Sequence, residues 1–224
     1  RDFATNNGCT ITKTFETHRQ ADYISGSNML RHTAAVEIVA PEDDFKEAKF
    51  PYTSARHGET HRFGSDGPEV EIIHTPGHTP GSTCYLIDGK YFITGDTVFI
   101  QSIGRPDLGG MAEEWSQMLF RTMTDILLKL DTDTIILPGH YMEWDEADEN
   151  LIFAATMGKI KEHNAEIYNI DDEKVFFDFI QANMRPQPEE YAKIREINAG
   201  LVEIDEEQQE IMDIGKNECA ASMR

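Results

Sequence analysis

The chain has 224 residues, 39% of them hydrophobic, enough to bury a sizeable core in one large domain or two small ones. It carries 41 acidic residues against 20 basic ones, a formal charge of −21. That balance excludes the basic footprint of a nucleic-acid binder and attraction to an anionic membrane surface, and fits solubility or a salt-adapted proteome. The longest apolar runs are pieces such as Ile135-Ile136-Leu137, far short of the roughly 18 residues that span a bilayer.

In chain order, Ile11 to Phe15 is β-branched and aromatic and predicts a strand that ends at Glu16-Thr17-His18. Asp22 to His32 predicts a helix and Val36 to Val39 a second strand. Residues 41–68 are rich in proline and charge and predict a long excursion. Val70 to His74, Thr83 to Ile87 and Tyr91 to Thr94 predict strands, the last two joined by the hairpin signal Asp88-Gly89. Residues 112–130 place Trp115, Met118, Leu119, Met123, Ile126, Leu127 and Leu130 at helical spacing. Thr134 to Leu137 is a strand that Pro138-Gly139 breaks, and from about residue 145 the pattern is helical and acidic. Strands alternate with helices while some neighbours form hairpins, so the class is α/β with mixed sheets between helices. The expected organisation is a single domain over 1–224, with the motifs in about 1–145 and a helical part in about 146–224.

Cys9, Cys84 and Cys219 are an odd, widely spaced set without a CxxC pair, which excludes a disulfide scaffold and a structural zinc knuckle and fits a reducing cytoplasm. No signal-peptide pattern opens the chain. Cys84, Trp115 and Phe120 read as core residues, and His32, His57, His61, His74 and His163 as surface or strand residues without motif context.

Four clusters stand at strand ends: Glu16-Thr17-His18-Arg19-Gln20-Ala21-Asp22-Tyr23, Thr75-Pro76-Gly77-His78-Thr79-Pro80-Gly81-Ser82, Thr94-Gly95-Asp96-Thr97 running on to Gly104-Arg105-Pro106-Asp107-Leu108, and Leu137-Pro138-Gly139-His140. Each sets an imidazole or carboxylate just past an apolar strand, in the turn where sites are built. Two imidazoles and one carboxylate without a thiolate suit a non-haem iron facial triad or a catalytic zinc, and manganese is also accepted.

At these residues the sequence resembles the metallo-β-lactamase superfamily: a THxHxDH-type motif, then TPGHTPGS, GDT and PGH. The stretch Gly104-Arg105-Pro106-Asp107-Leu108 is most similar to the persulfide dioxygenase branch, including its fusions to rhodanese domains. The resemblance implies an αββα sandwich of two mixed sheets with a metal at one edge. It also implies that strands preceding the first motif are missing here, because only 17 residues precede His18. The first motif departs from the superfamily pattern: His18 and Asp22 are kept, but Gln20 and Tyr23 stand where two-metal hydrolases have imidazoles. Persulfide dioxygenases hold one iron with the first His of this motif, the His of TPGHT and the Asp of GDT, which correspond to His18, His78 and Asp96.

The resemblance therefore implies one Fe(II) per chain, or Zn or Mn, held by His18, His78 and Asp96. Asp22, Tyr23 and His140, with Gln20, are then residues that orient the ligands or hydrogen-bond to bound oxygen. Arg105 would attract an anionic thiol carrier, or instead pair with Asp107 or a backbone carbonyl. The implied reaction oxidises glutathione persulfide or coenzyme A persulfide with O2 to sulfite and free thiol, and it weakens as pH falls and the imidazoles charge. A zinc-dependent thioester hydrolase of glyoxalase II type is the alternative, with Asp22 or His140 assisting, and a non-catalytic relative of the same fold is a third reading. No rhodanese domain follows, but residues 183–219 resemble the tail that leads to one in fused relatives, so a sulfurtransferase partner is expected in cis or in trans. A homodimer is left open.

Overall fold

The computed structural model describes residues 1–33, 35–212 and 219–221. Helix α1 (Asp2–Asn6) precedes strand β1 (Lys13–Phe15), helix α2 (Gly26–Thr33), strand β2 (Glu37–Ala40), the short helix α3 (Glu42–Phe45) and strand β3 (Thr53–Ser54). Strands β4 (Thr60–Arg62), β5 (Glu69–His74), β6 (Thr83–Ile87) and β7 (Tyr91–Gly95) follow, then helix α4 (Ala112–Asp125), β8 (Ile135–Pro138) and β9 (Ala155–Thr156). The remaining helices are α5 (Met157–His163), α6 (Ala165–Tyr168), α7 (Glu173–Asn183), α8 (Glu190–Asn198) and α9 (Glu206–Met212).

The strands form two sheets, β1-β2-β3 and β4-β5-β6-β7-β8-β9. The larger sheet is mixed as expected, with β7 and β8 parallel and its other pairs antiparallel. The smaller one is parallel throughout its described pairs rather than mixed, because β1 and β2 are each followed by a crossover instead of a tight turn. Asp88 and Gly89 both take positive φ, 49° and 65°, and turn β6 back onto β7.

The period-2 alternation of the strands decides which layer each side chain joins. Val39 of β2, Val70 and Ile72 of β5 and Tyr85 of β6 pack together between the sheets, with Phe15, Ile87 and Ile93 beside them. The opposite set on the large sheet, Ile73, Cys84, Phe92 and Ile136, faces Leu119, Met123 and Leu127 of the α4 region and Phe176 and Ile180 of α7. Ile38 and Ala40 face the other way from Val39, onto Phe45 and Phe50. Helices thus cover the outer face of each sheet and the molecule is layered α-β-β-α, with burial on both faces of the central strands.

Three elements differ from expectation. The excursion 41–68 contains α3 and two short strands, β3 and β4, that form one edge of each sheet. Their two and three residues are too few to show alternation in the sequence. Helix α2 begins at Gly26, not Asp22, because the carbonyls of Gln20 and Tyr23 accept from Asn198 Nδ2 (3.0 and 2.8 Å) instead of entering a helical ladder. The helix over 112–130 stops at Asp125, and Leu127–Lys129 forms a 3-10 turn after it. The tail expected over 183–219 contains α8 and α9, while its residues 213–218 lie outside the described residues.

Strands β5, β7 and β8 run in one direction, since β5 and β7 are separated by two antiparallel steps and β7 and β8 are parallel. Their C-terminal ends therefore share one edge of the large sheet. The loops after them carry His78, Asp96 and His140, and open-sheet sites gather at such an edge.

Candidate metal centre

Chain direction alone brings the three loops together, and hydrogen bonds fix them. His18 follows β1, and its loop is joined to the large sheet by the Thr83 amide donating to the Thr17 carbonyl (2.8 Å). Ser25 Oγ donates to the Glu16 carboxylate, and the Ser25 amide donates to Asn198 Oδ1 (2.8 Å), so α8 holds the loop that carries Asp22. The buried carboxylate of Asp44 takes the Arg19 amide (2.9 Å), the Thr79 hydroxyl (2.7 Å) and the Gly81 amide (2.9 Å). One side chain of the excursion thereby clamps the loops of His18 and His78.

His18, His78 and Asp96 are fully buried and converge. Asp96 Oδ2 is 3.6 Å from His18 Nε2 and 3.6 Å from His78 Nε2, and the two rings meet edge to face at 4.9 Å. The other ring nitrogens are engaged: His18 Nδ1 lies 3.0 Å from Thr17 Oγ1, and His78 Nδ1 lies 2.9 Å from the Arg105 carbonyl. A carbonyl only accepts, so His78 carries its proton on Nδ1 and turns the Nε2 lone pair toward Asp96. Burial, and then the neighbouring His18, hold the His78 imidazole down to about 4, which keeps it neutral. Burial would raise the Asp96 carboxyl, but the imidazoles of His140 and His18 outweigh it and the net shift is downward.

His18 Nε2, His78 Nε2 and both Asp96 oxygens have no hydrogen-bond partner although buried. Orphaned buried polar atoms cost about 1–3 kcal/mol each, so the three that face one point, His18 Nε2, His78 Nε2 and Asp96 Oδ2, are explained by a group that fills it. Two imidazoles and a carboxylate are the donor set of a divalent transition metal, and the cluster fits one.

The other expected residues sit around this centre. His140 Nε2 lies 3.0 Å from Asp22 Oδ2 and 3.4 Å from Asp96 Oδ1. Burial lowers the His140 pKa, but the carboxylates of Asp96 and Asp22 prevail and raise it. The Tyr23 ring stands edge-on to His140 at 6.2 Å, and burial, then Asp96, keep its phenol protonated. Gln20 Nε2 approaches His18 Nδ1 at 3.5 Å. Arg105, expected as a substrate contact or as half of an ion pair, is 1% exposed and grips Asp107 through Nε (2.6 Å) and Nη2 (2.8 Å). The guanidinium thus takes the ion-pair place, and the carbonyl of the same residue orients His78. Cys84 is core as expected, with burial pushing its thiol up to about 12.

Sequence reasoning missed Asp44, Asn198 and Cys219. Asp44 sits in an unremarkable acidic run and Asn198 near the end of an ordinary helix, so neither had a local signal. Cys219 had only its residue type, and the structure sets it with Asp22 and His140.

The metallo-β-lactamase superfamily model matches residues 7–140, more than half of the chain and all four motif loops. The chain belongs to the metallo-β-lactamase superfamily. A hydroxyacylglutathione hydrolase of Rhizobium meliloti (strain 1021) is 30% identical over 161 residues, 71% of this chain and 60% of that protein. The structure of a metallo-β-lactamase from Staphylococcus aureus superposes with a TM-score of 0.77 at 27% identity, covering 88% of this chain and 61% of that one. That of ETHE1 from Myxococcus xanthus superposes with a TM-score of 0.73 at 24% identity, covering 89% and 81%. The chain spans 43% to 60% of the length of the first curated relatives it matches. This metallo-β-lactamase-superfamily chain has the family's mixed α/β fold with two sheets, and its buried His/Asp cluster could hold a metal. Among the described residues no helix is long and apolar enough to cross a membrane.

Proposed function

We propose that the chain is a mononuclear non-haem iron dioxygenase acting on a low-molecular-weight persulfide, glutathione persulfide or coenzyme A persulfide. The observation that carries this reading is a complete, buried His18–His78–Asp96 triad beside a first motif whose other two imidazole positions hold Gln20 and Tyr23. A hydrolytic two-metal clamp relies on those imidazoles, whereas a facial triad leaves positions open for substrate and O2.

His18, His78 and Asp96 would hold Fe(II), which when bound supplies the redox chemistry with O2. The chain supplies geometry and proton control. Thr17 and the Arg105 carbonyl fix the two imidazole planes, and Asp44 fixes the loops beneath them. Tyr23 holds its proton on Oη and can donate a hydrogen bond to an anionic sulfur. The balance is one persulfide, one O2 and one water giving one thiol and one sulfite. A sulfurtransferase domain, in cis or in trans, is the proposed persulfide source, and a cytoplasmic setting suits the thiol chemistry.

The second reading is a zinc-dependent thioester hydrolase, favoured by the 30% identity to a hydroxyacylglutathione hydrolase. In it Asp22 would take a proton from the attacking water, with His140 assisting beside it. Anaerobic loading with Fe(II), then oxygen-electrode and sulfite measurements with glutathione persulfide, tests the choice. The dioxygenase reading expects sulfite to match the oxygen consumed. It is overturned if no oxygen is taken up while zinc-loaded protein hydrolyses S-lactoylglutathione.

A further inference from the structure

A cavity of about 460 Å³ opens between the chain at Ile100, the 3-10 turn Trp144–Glu146 and helix α5. Two of its walls continue from the loops of the metal centre: Ile100 stands four residues after Asp96, and Asp145 five after His140. Four residues of chain keep the Cα atoms of Asp96 and Ile100 within about 14 Å of each other.

The cavity carries charge of both signs. Asp145, Glu146 and Glu162 bring carboxylates, Lys159 an ammonium and His163 an imidazole, while Ile100 and Ile160 supply apolar wall. Lys159 and Glu162 are three residues apart on α5, a spacing at which side chains can meet, yet no ion pair joins them.

Glu146 is the buried member, 9% exposed. Its Oε1 accepts the amides of Met142 (2.8 Å) and Glu143 (3.0 Å), whereas Oε2 has no partner. Burial pushes this carboxyl up from its ordinary range. A buried carboxylate with one oxygen on the backbone and the other unpaired lacks a counter-ion.

A bare cation does not answer that lack. Among the described residues, the groups with donor atoms close enough to share an ion are His18, His78 and Asp96, and Asp22, His140 and Cys219, and neither includes a residue of this cavity. The charges stand around a space wider than an ion, of a size that takes a small molecule. An anion there meets three carboxylates, and a plain amine meets Lys159. A ligand carrying both an ammonium and a carboxylate complements both signs.

We propose that this cavity binds the ammonium–carboxylate head of an α-amino acid, with the ammonium on Glu146 Oε2 and Asp145, the carboxylate on Lys159, and Ile100 and Ile160 against the carbon chain. Such a head has two sources, a free amino acid or the glutamyl end of glutathione. The second source rests on the persulfide reading, and it makes glutathione rather than coenzyme A the carrier, because a polyphosphate is repelled by three carboxylates.

Isothermal titration calorimetry of the full chain tests the site with three probes. L-glutamate stands for the free amino acid, S-methylglutathione for the carrier, and glutarate keeps two carboxylates but lacks the ammonium. At least one of the first two is expected to bind, with glutarate weaker by about tenfold or more. Glu146→Gln keeps an acceptor for the two amides and sets a neutral amide in place of the unpaired oxygen. It should weaken the bound probe about tenfold, as should Lys159→Met at its exposed position. S-methylglutathione binding tighter than glutamate assigns the site to the carrier, and glutamate binding at least as tightly assigns it to a free amino acid. Failure of both probes to bind overturns the proposal, as does wild-type affinity in both variants. None of these heats requires iron or oxygen, so the site and the dioxygenase reading fail separately.

Discussion

Asp44 accepts the Thr79 hydroxyl at 2.7 Å across 35 residues of sequence, and with it the amides of Arg19 and Gly81. The carboxylate sits in a helix of only four residues, yet it ties the loop after β1 to the loop after β5. Both ligand-bearing loops therefore depend on one acceptor-only side chain.

Asp44→Asn keeps the size of the side chain but turns one oxygen into a donor, which must then face a backbone amide in a buried place. About 1–3 kcal/mol of stability should be lost for the unsatisfied group. Metal affinity should fall roughly tenfold to a hundredfold, as for other groups that support ligands from behind. Urea unfolding and chelator competition measure both. Unchanged values would mean that the two loops are positioned without Asp44.

The Arg105–Asp107 pair gives a pH prediction. Burial raises the Asp107 carboxyl, but the Arg105 guanidinium outweighs it and the net shift is downward. A carboxyl with a depressed folded-state value adds stability above its unfolded value of about 3.9 and loses it as pH falls through the folded value. Asp107→Asn should therefore destabilise at neutral pH, by about 3–5 kcal/mol for a buried charge stripped of its partner. The gap between variant and wild type should shrink as pH drops below about 4. Urea midpoints at neutral and acid pH give the answer, and a gap that stayed constant would remove the ion pair from the account.

Asn198 makes a comparable prediction for the loop of Asp22. Its side chain accepts from the Ser25 amide and donates to the carbonyls of Gln20 and Tyr23. Asn198→Ala leaves three buried backbone groups without partners, so residues 20–25 should exchange amide hydrogens faster while the β6–β7 hairpin keeps its protection. If protection in residues 20–25 were unchanged, the loop would be self-supporting.

The sequence displayed the parts of the fold whose signals are local. The hairpin at Asp88-Gly89 and the alternation of Ile72, Ile73, Cys84 and Tyr85 need only neighbouring residues to be read. The turns that carry His78, Asp96 and His140 stood out because glycine or proline punctuates them, and His18 because it follows a β-branched, aromatic stretch. What stayed hidden acts over long separations. Asn198 decides where α2 begins from more than 170 residues away, and Cys219 comes beside Asp22 where residues 219–221 pair with Ile103–Arg105. Pairings of that kind leave no periodicity, so residue type was the only available trace of Cys219.

Gly139 supplies the last prediction. A Cβ at this position would stand 2.5 Å from Asp96 Oδ1 and 3.1 Å from the Gly95 carbonyl carbon. The Gly139 amide donates to the Gly95 carbonyl at 2.8 Å, so backbone pairing prevents the loop from backing away. The glycine before His140 is thus a matter of space: it lets the loop after β8 pass directly over the Asp96 carboxylate. Gly139→Ala must push Asp96 aside or break the pairing, and a displacement of even a fraction of an ångström matters for ligand geometry. We expect at least a tenfold loss of affinity at the His18–His78–Asp96 cluster, on the scale seen when groups supporting metal ligands are disturbed. The core between the sheets lies apart from this loop and should keep its urea midpoint within about 1 kcal/mol. Competition against a chromogenic chelator, paired with unfolding curves of the metal-free protein, separates the two effects. Wild-type affinity in Gly139→Ala would show that Asp96 has room to move and that the close approach of this loop does not set the geometry of the centre.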